Sequence, residues 1–130
     1  MGCGDGRRAP GVKWGSIVRV NLDPVVGSEA NKVRPAVVVC NDRAIAAALT
    51  SGRGVITVAP VTSNVSRIYD FQVLITAQVG KAVGLRVPSK VQAEQVRSVD
   101  VRRIAGELGV LPENVCADIR RALLLHLDLE

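Results

Sequence analysis

Between residues 15 and 99 the apolar positions fall in short runs, several of them alternating with polar ones. Residues 16–22 set Val18, Val20 and Leu22 on one side and Ile17, Arg19 and Asn21 on the other, the period of a strand. Asp23-Pro24 stops that strand, and residues 25–33, with Gly27, Ser28 and Asn31, form a long loop. A second strand opens at Pro35, where a missing N–H is tolerated. It continues through Ala36-Val37-Val38-Val39-Cys40 and, being apolar at every position, is expected to be buried on both faces. Asn41-Asp42 suits the cap of a short helix over 43–49, and residues 51–54 form a turn. A third strand spans 55–61, ended by Pro60 and the polar run Thr62-Ser63-Asn64.

A fourth strand is predicted at 71–76. Gly80 and Gly84 flank a turn before a short fifth strand at 85–87. In a sixth strand, 90–99, Val91 and Ala93 share a face but Val96 falls on the other, which suggests a bulge near Gln95. A further short strand lies around 104–108. Pro112 suits the first position of a helix, with Glu113 in its first turn and Val115, Ile119, Leu123 and Leu127 at helical spacing. The expected fold is mainly β with α: a small, curved antiparallel sheet or barrel closed by one amphipathic C-terminal helix. A single domain over residues 14–130 would follow a loose tail, residues 1–13.

Composition narrows the partners. Seventeen Lys and Arg against twelve Asp and Glu give a net charge of +5, compatible with a polyanion. The only aromatics are Trp14, Tyr69 and Phe71. Three rings are too few for a base-stacking platform or for a groove that reads Pro-rich peptides. Cys3, Cys40 and Cys116 are an odd, widely spaced set beside a single histidine, which argues against a disulfide framework and against zinc, and for a reducing cytoplasm. No apolar run reaches the ~18 residues of a membrane span. Residues 1–8 lack the apolar centre of a signal peptide, and Gly6 stands where a myristoylation pattern needs Ser or Thr.

Two polar segments that follow strands carry the candidate chemistry: residues 22–35 and residues 58–64. In order they hold Leu22-Asp23-Pro24, Gly27-Ser28-Glu29, Arg34-Pro35-Ala36-Val37-Val38-Val39 and Pro60-Val61-Thr62-Ser63-Asn64. Later come Glu94-Gln95-Val96-Arg97-Ser98 and a helix ending Leu123-Leu124-Leu125-His126-Leu127. This succession resembles the MazF/PemK toxins of bacterial toxin–antitoxin systems, from Gly15 onward.

The resemblance implies an SH3-like barrel, a homodimer and a sequence-specific, metal-independent endoribonuclease without cofactor. Such an enzyme cuts single-stranded RNA through attack of a 2′-hydroxyl on its own phosphodiester. It leaves a 2′,3′-cyclic phosphate and a 5′-hydroxyl, and so stops translation and growth. It also implies a MazE-like antitoxin, with DNA binding through the antitoxin complex. The family's catalytic arginine falls on Arg34, its threonine on Thr62 and its loop acid on Glu29. Lys32, Ser63, Asn64, Tyr69 and Gln95 are the candidate RNA contacts.

The residue chemistry agrees with these roles. A guanidinium offers a planar fork for two non-bridging phosphoryl oxygens, and a hydroxyl adds a third donor as charge develops. A guanidinium keeps its proton far above neutral pH and makes a poor base, so Glu29 is the candidate base. Each residue also has a plainer reading: Arg34 as a solvated arginine at a strand start, Thr62-Ser63-Asn64 as turn formers, Gln95 as the partner of a bulge, His126 as helix packing and Cys40 as core. Two functional alternatives remain, a toxin of this fold that poisons DNA gyrase and a non-catalytic SH3-like nucleic-acid-binding module.

Overall fold

The structure, a computed structural model, describes residues 11–22 and 33–129. Its strands are β1 (Ser16–Val20), β2 (Arg34–Val38), β3 (Val55–Thr62), β4 (Gln72–Ile75), β5 (Ser89–Gln92), β6 (Arg97–Asp100) and β7 (Ile104–Val110). The helices are α1 (Asp42–Ser51), α2 (Ala77–Ala82) and α3 (Glu113–Leu127). All pairings are antiparallel, in the order β4-β5-β3-β2-β1-β7, with β6 also on β3. The mainly-β fold with a C-terminal helix is as expected; the sheet curves without closing into a barrel, since β4 and β7 end the path.

Strand alternation builds two cores, one on each face. Ile17, Val37, Ala59, Val61, Val73 and Val91 pack beneath α3 with Val115, Cys116, Ile119 and Ala122. Val18, Val20, Ala36, Val38, Ile56 and Val58 pack on the other face with Ile45 and Ala48 of α1. The unbroken apolar run in β2 follows from this, for Ala36, Val37 and Val38 are all fully buried. Each large aliphatic side chain so buried contributes about 1.5–3 kcal/mol. Val12, within the expected tail, is buried in the α1-side core, and Ser16 Oγ donates to Gly11 O (3.4 Å).

β3 shapes the molecule. One edge pairs with β2; the other pairs with β6 over residues 55–58 and with β5 at Val61 and Thr62. Pro60 lies inside this strand rather than ending it. Thr57 O accepts from Val39 N on the β2 side, so alternation turns the Pro60 nitrogen toward the opposite edge. A 3-10 turn at Ala93–Gln95 interrupts the ladder there, so no donor is missed.

Four other expectations are corrected. The strand at 90–99 is two strands split by that turn, which replaces the bulge and moves the apolar positions from the α3 core (Val91, Ala93) to the α1 core (Val99, Val101). The expected turn after β4 holds helix α2, capped by Thr76, whose side chain accepts from Val79 N. Gly80 lies within this helix because a Cβ would stand 3.2 Å from the Leu85 Cβ. No strand forms at 85–87: Leu85 N–H returns to Gly80 O (2.8 Å), and Gly84 takes φ +81°. Finally, Pro112 is the N-cap of α3, not its first residue.

Candidate active site

The face of the sheet that packs against α1 turns polar at one end. Along β2 its residues run Val38, Ala36, Arg34; along β3 they run Ile56, Val58, Pro60, Thr62. The β2–β3 register pairs Val38 with Val58 and Ala36 with Pro60. Continued by two residues, it sets Arg34 opposite Thr62. The strand that brings Thr62 in also pairs it with Lys90 of β5. Arg34 is exposed, while Thr62 is half-buried.

Around them lies a cleft of about 370 Å³, lined by Leu22, Arg34, Pro60, Val61, Thr62, Gln92, Gln95 and Arg97. The charged groups on this lining are two guanidiniums; no carboxylate is among the described residues that form it. The Thr62 hydroxyl oxygen accepts the Asn64 N–H at 3.2 Å, which leaves the hydroxyl proton for another acceptor. Arg97 begins β6 opposite Val58, so the 3-10 turn before it aims both Gln95 and Arg97 at the cleft. Asp100 steadies the far end of β6. It accepts from Arg102 N, Nε and Nη2 at 2.8–2.9 Å, and this bonding holds its carboxyl well below the usual carboxylate range.

The structure thus brings Arg34, Thr62 and Gln95 together. Ser63 borders an adjoining hollow with Arg34. Asn64 is spent on its own turn, with Oδ1 accepting from Ser66 N (3.3 Å) and Ser66 Oγ (2.9 Å). Tyr69 stands elsewhere. It stacks on Phe71 with centroids 5.4 Å apart, carries the Arg67 guanidinium 5.7 Å from its ring centre, and lines a separate hollow with Leu125 and His126. Glu29 and Lys32 lie outside the described residues.

Two cleft residues, Gln92 and Arg97, were not singled out from the sequence. The sequence signal for Arg97 was its place two residues after Gln95. Only with the 3-10 turn in place do both residues reach the same cleft. The loop beyond Thr62 is pinned from below: buried Lys90 donates from Nζ to Arg67 O at 2.6 Å, and Gln72 Oε1 accepts from Tyr69 N at 3.0 Å. Gln72 Nε2 in turn donates to Glu94 Oε2 at 2.8 Å, which ties this loop to the 3-10 turn.

Fold and cleft together define a class: a small curved-sheet domain with a cationic, amide-lined cleft at one end of the sheet, suited to an anion. Residues 13–127 match the family of PemK-like, MazF-like toxins of type II toxin–antitoxin systems, and the chain belongs to that family. It is 53% identical to Endoribonuclease MazF9 of Mycobacterium tuberculosis (strain ATCC 25618 / H37Rv), over 91% of this chain and 98% of the relative. It is 30% identical to Endoribonuclease EndoA of Bacillus subtilis (strain 168), over 91% of this chain and 96% of that protein. The crystal structure of MazE-MazF (Form-II) from Deinococcus radiodurans contains a chain that superposes with a TM-score of 0.69 at 30% identity, covering 91% of this chain and 96% of that one.

Proposed function

We propose that this toxin is a sequence-specific endoribonuclease that cuts single-stranded RNA without a metal ion, through attack of the 2′-hydroxyl on the adjacent phosphodiester. The carrying observation is the cross-strand placement of Arg34 beside Thr62 at the polar end of the sheet, in a cleft that adds Arg97, Gln92 and Gln95. As the pentacoordinate phosphorane forms, charge builds on the non-bridging oxygens. The Arg34 fork and the Thr62 hydroxyl then donate to them, and donors of this kind act most strongly where water is excluded. Arg97 balances further backbone charge, while the two glutamine amides are suited to base edges or ribose hydroxyls. Glu29 is assigned the proton from the 2′-hydroxyl. The products are a 2′,3′-cyclic phosphate and a 5′-hydroxyl.

The described donor set supports the metal-free route, because Arg34 and Arg97 place two positive charges in the cleft, which repel a divalent cation. The names of the two relatives, both endoribonucleases, support the reaction class.

The acting form is a homodimer in the cytoplasm, held by a MazE-like antitoxin. Exposed Leu124, Leu125, Leu127 and Leu129 on or just beyond α3 support self-association, as does exposed Leu74 of β4, against which α3 packs. Among the described residues no helix is long and apolar enough to cross a membrane. The test is incubation of the purified protein with single-stranded RNA in excess EDTA, beside a DNA gyrase supercoiling assay. Discrete RNA cleavage in EDTA with gyrase unaffected is expected. Intact RNA with inhibited gyrase would overturn the reading in favour of the same-fold gyrase poison.

A further inference from the structure

Arg34, Val61 and Thr62 border two hollows, not one. Beside the cleft described above lies a second, of about 190 Å³, lined by Pro35, Ser63, Leu85, Arg86, Val87 and Ser89 together with those three residues. Among the described residues that line it, Arg86 is the one charged side chain besides Arg34, and none is a carboxylate. Arg86 is exposed, and among the described residues its guanidinium takes no hydrogen bond or ion pair.

The loop that presents Arg86 is built rather than loose. Helix α2 ends at Ala82, Gly84 takes the left-handed conformation, and Leu85 N–H closes back on Gly80 O at 2.8 Å. Leu85 itself is buried, so the residue after it is held close to the body of the protein. On the other side of Arg86, buried Ser89 donates from Oγ to Val87 O at 3.0 Å. The short stretch is therefore fixed at both ends. Its apolar side chains, with Pro35, make one wall of the hollow, and Arg86 with Ser63 supplies donors.

A polyanion whose scissile phosphate sits on Arg34 and Thr62 has chain on both sides of that point. Successive phosphates of a single strand need successive cations. On one side the wider cleft offers Arg97; on the other the narrower hollow offers Arg86. We propose that the Arg86 hollow is a second nucleotide subsite, which takes the phosphate of the nucleotide next to the scissile linkage on Arg86 and its ribose against Leu85, Val87 and Pro35. This rests on the ribonuclease reading given above and adds to it the path of the strand across the sheet.

The test uses RNA substrates carrying a single neutral methylphosphonate at either linkage flanking the cut, once wild-type protein has located that cut in a longer single strand. Wild type is compared with Arg86→Gln and Arg86→Lys by kcat/KM. Arg86 is exposed, so neither substitution disturbs the core. Arg86→Gln is expected to lose about 10-fold on all-phosphate RNA, the worth of one charge-assisted contact. At one flanking linkage the neutral group should cost wild type a similar factor and Arg86→Gln nothing further; at the other it should cost both proteins equally. Arg86→Lys should recover part of the loss. Wild-type kcat/KM in Arg86→Gln, or losses that multiply at both linkages, would overturn the subsite while leaving the ribonuclease intact. RNA left whole by wild-type protein would overturn the ribonuclease reading and the subsite with it.

Discussion

Arg34 opens β2 and Thr62 closes β3, and only the β2–β3 register makes them neighbours. If donation to the developing phosphorane is their task, Arg34→Ala should slow the chemical step 10²-fold or more in single-turnover kinetics. Arg34→Lys should remain impaired, since a point charge does not reproduce the guanidinium fork. Wild-type turnover by either variant would remove Arg34 from the chemistry. Both residues were singled out from the sequence by the short motifs that hold them, Arg34 immediately before Pro35 and Thr62 two residues after Pro60. Arg97 and Gln92 were not, because the turn at Ala93–Gln95 changes which side chains share a face and a plain alternation cannot show it.

Cys116 gives a separate test of packing at this scale. Burial pushes its thiol pKa up from the usual value. The unfolded chain therefore releases this proton first, at about pH 8.5. The stabilisation is fully present below that pH and is lost as pH rises through the folded-state value. Urea midpoints should hold level from pH 7 to 8 and fall above about pH 8.5, more steeply in wild type than in Cys116→Ala. Equal slopes in the two proteins would contradict a buried, protonated Cys116.

At the scale of the elements, the chain passes close to α3 just before β1 begins. Gly15 takes φ +93°, and a Cβ there would stand 2.6 Å from Cys116 Sγ. Gly15→Ala meets both the strained backbone and the clash, and should lower unfolding free energy by about 2–4 kcal/mol in denaturant titration. A change below about 0.5 kcal/mol would mean that α3 does not pack as described. Strand β1 was readable from alternation, β2 from its unbroken apolar run, α1 from its Asn41-Asp42 cap and α3 from its helical period, and β3 and β4 were also expected as short strands. Helix α2 was not, because Gly80 looks like punctuation in the sequence, whereas its lack of a side chain serves contact with Leu85. The same close packing denied a strand to residues 85–87. Gly84 sits at φ +81° with Leu108 Cβ 3.3 Å from where its own Cβ would be.

For the molecule as a whole, the net charge of +5 and the uncovered leucines of α3 bear on different partners. Sedimentation at micromolar concentration should give twice the mass of one chain, because two-fold pairing is the commonest cover for such a face. A mass of 13.8 kDa would contradict the dimer. RNA affinity of a Thr62→Ala protein should fall steeply with salt as counterions compete for the cleft. An acidic antitoxin tail needs the same cations, so it should displace that RNA. A stable ternary complex at saturation would rule out a shared groove. The mainly-β architecture with a final helix was legible from the pattern of short strands; the path proposed for the RNA was not, because it rests on two neighbouring hollows that share Arg34 and Thr62. The central claim, that these two residues serve an attack by the RNA's own 2′-hydroxyl, is tested most directly by end-group analysis of fragments cut by the wild-type protein. Attack by the ribose leaves a 2′,3′-cyclic phosphate on the upstream fragment and a 5′-hydroxyl on the downstream one, and these are the expected ends. A 5′-phosphate opposite a free 3′-hydroxyl would mean that water, not the ribose, is the nucleophile, and would contradict it.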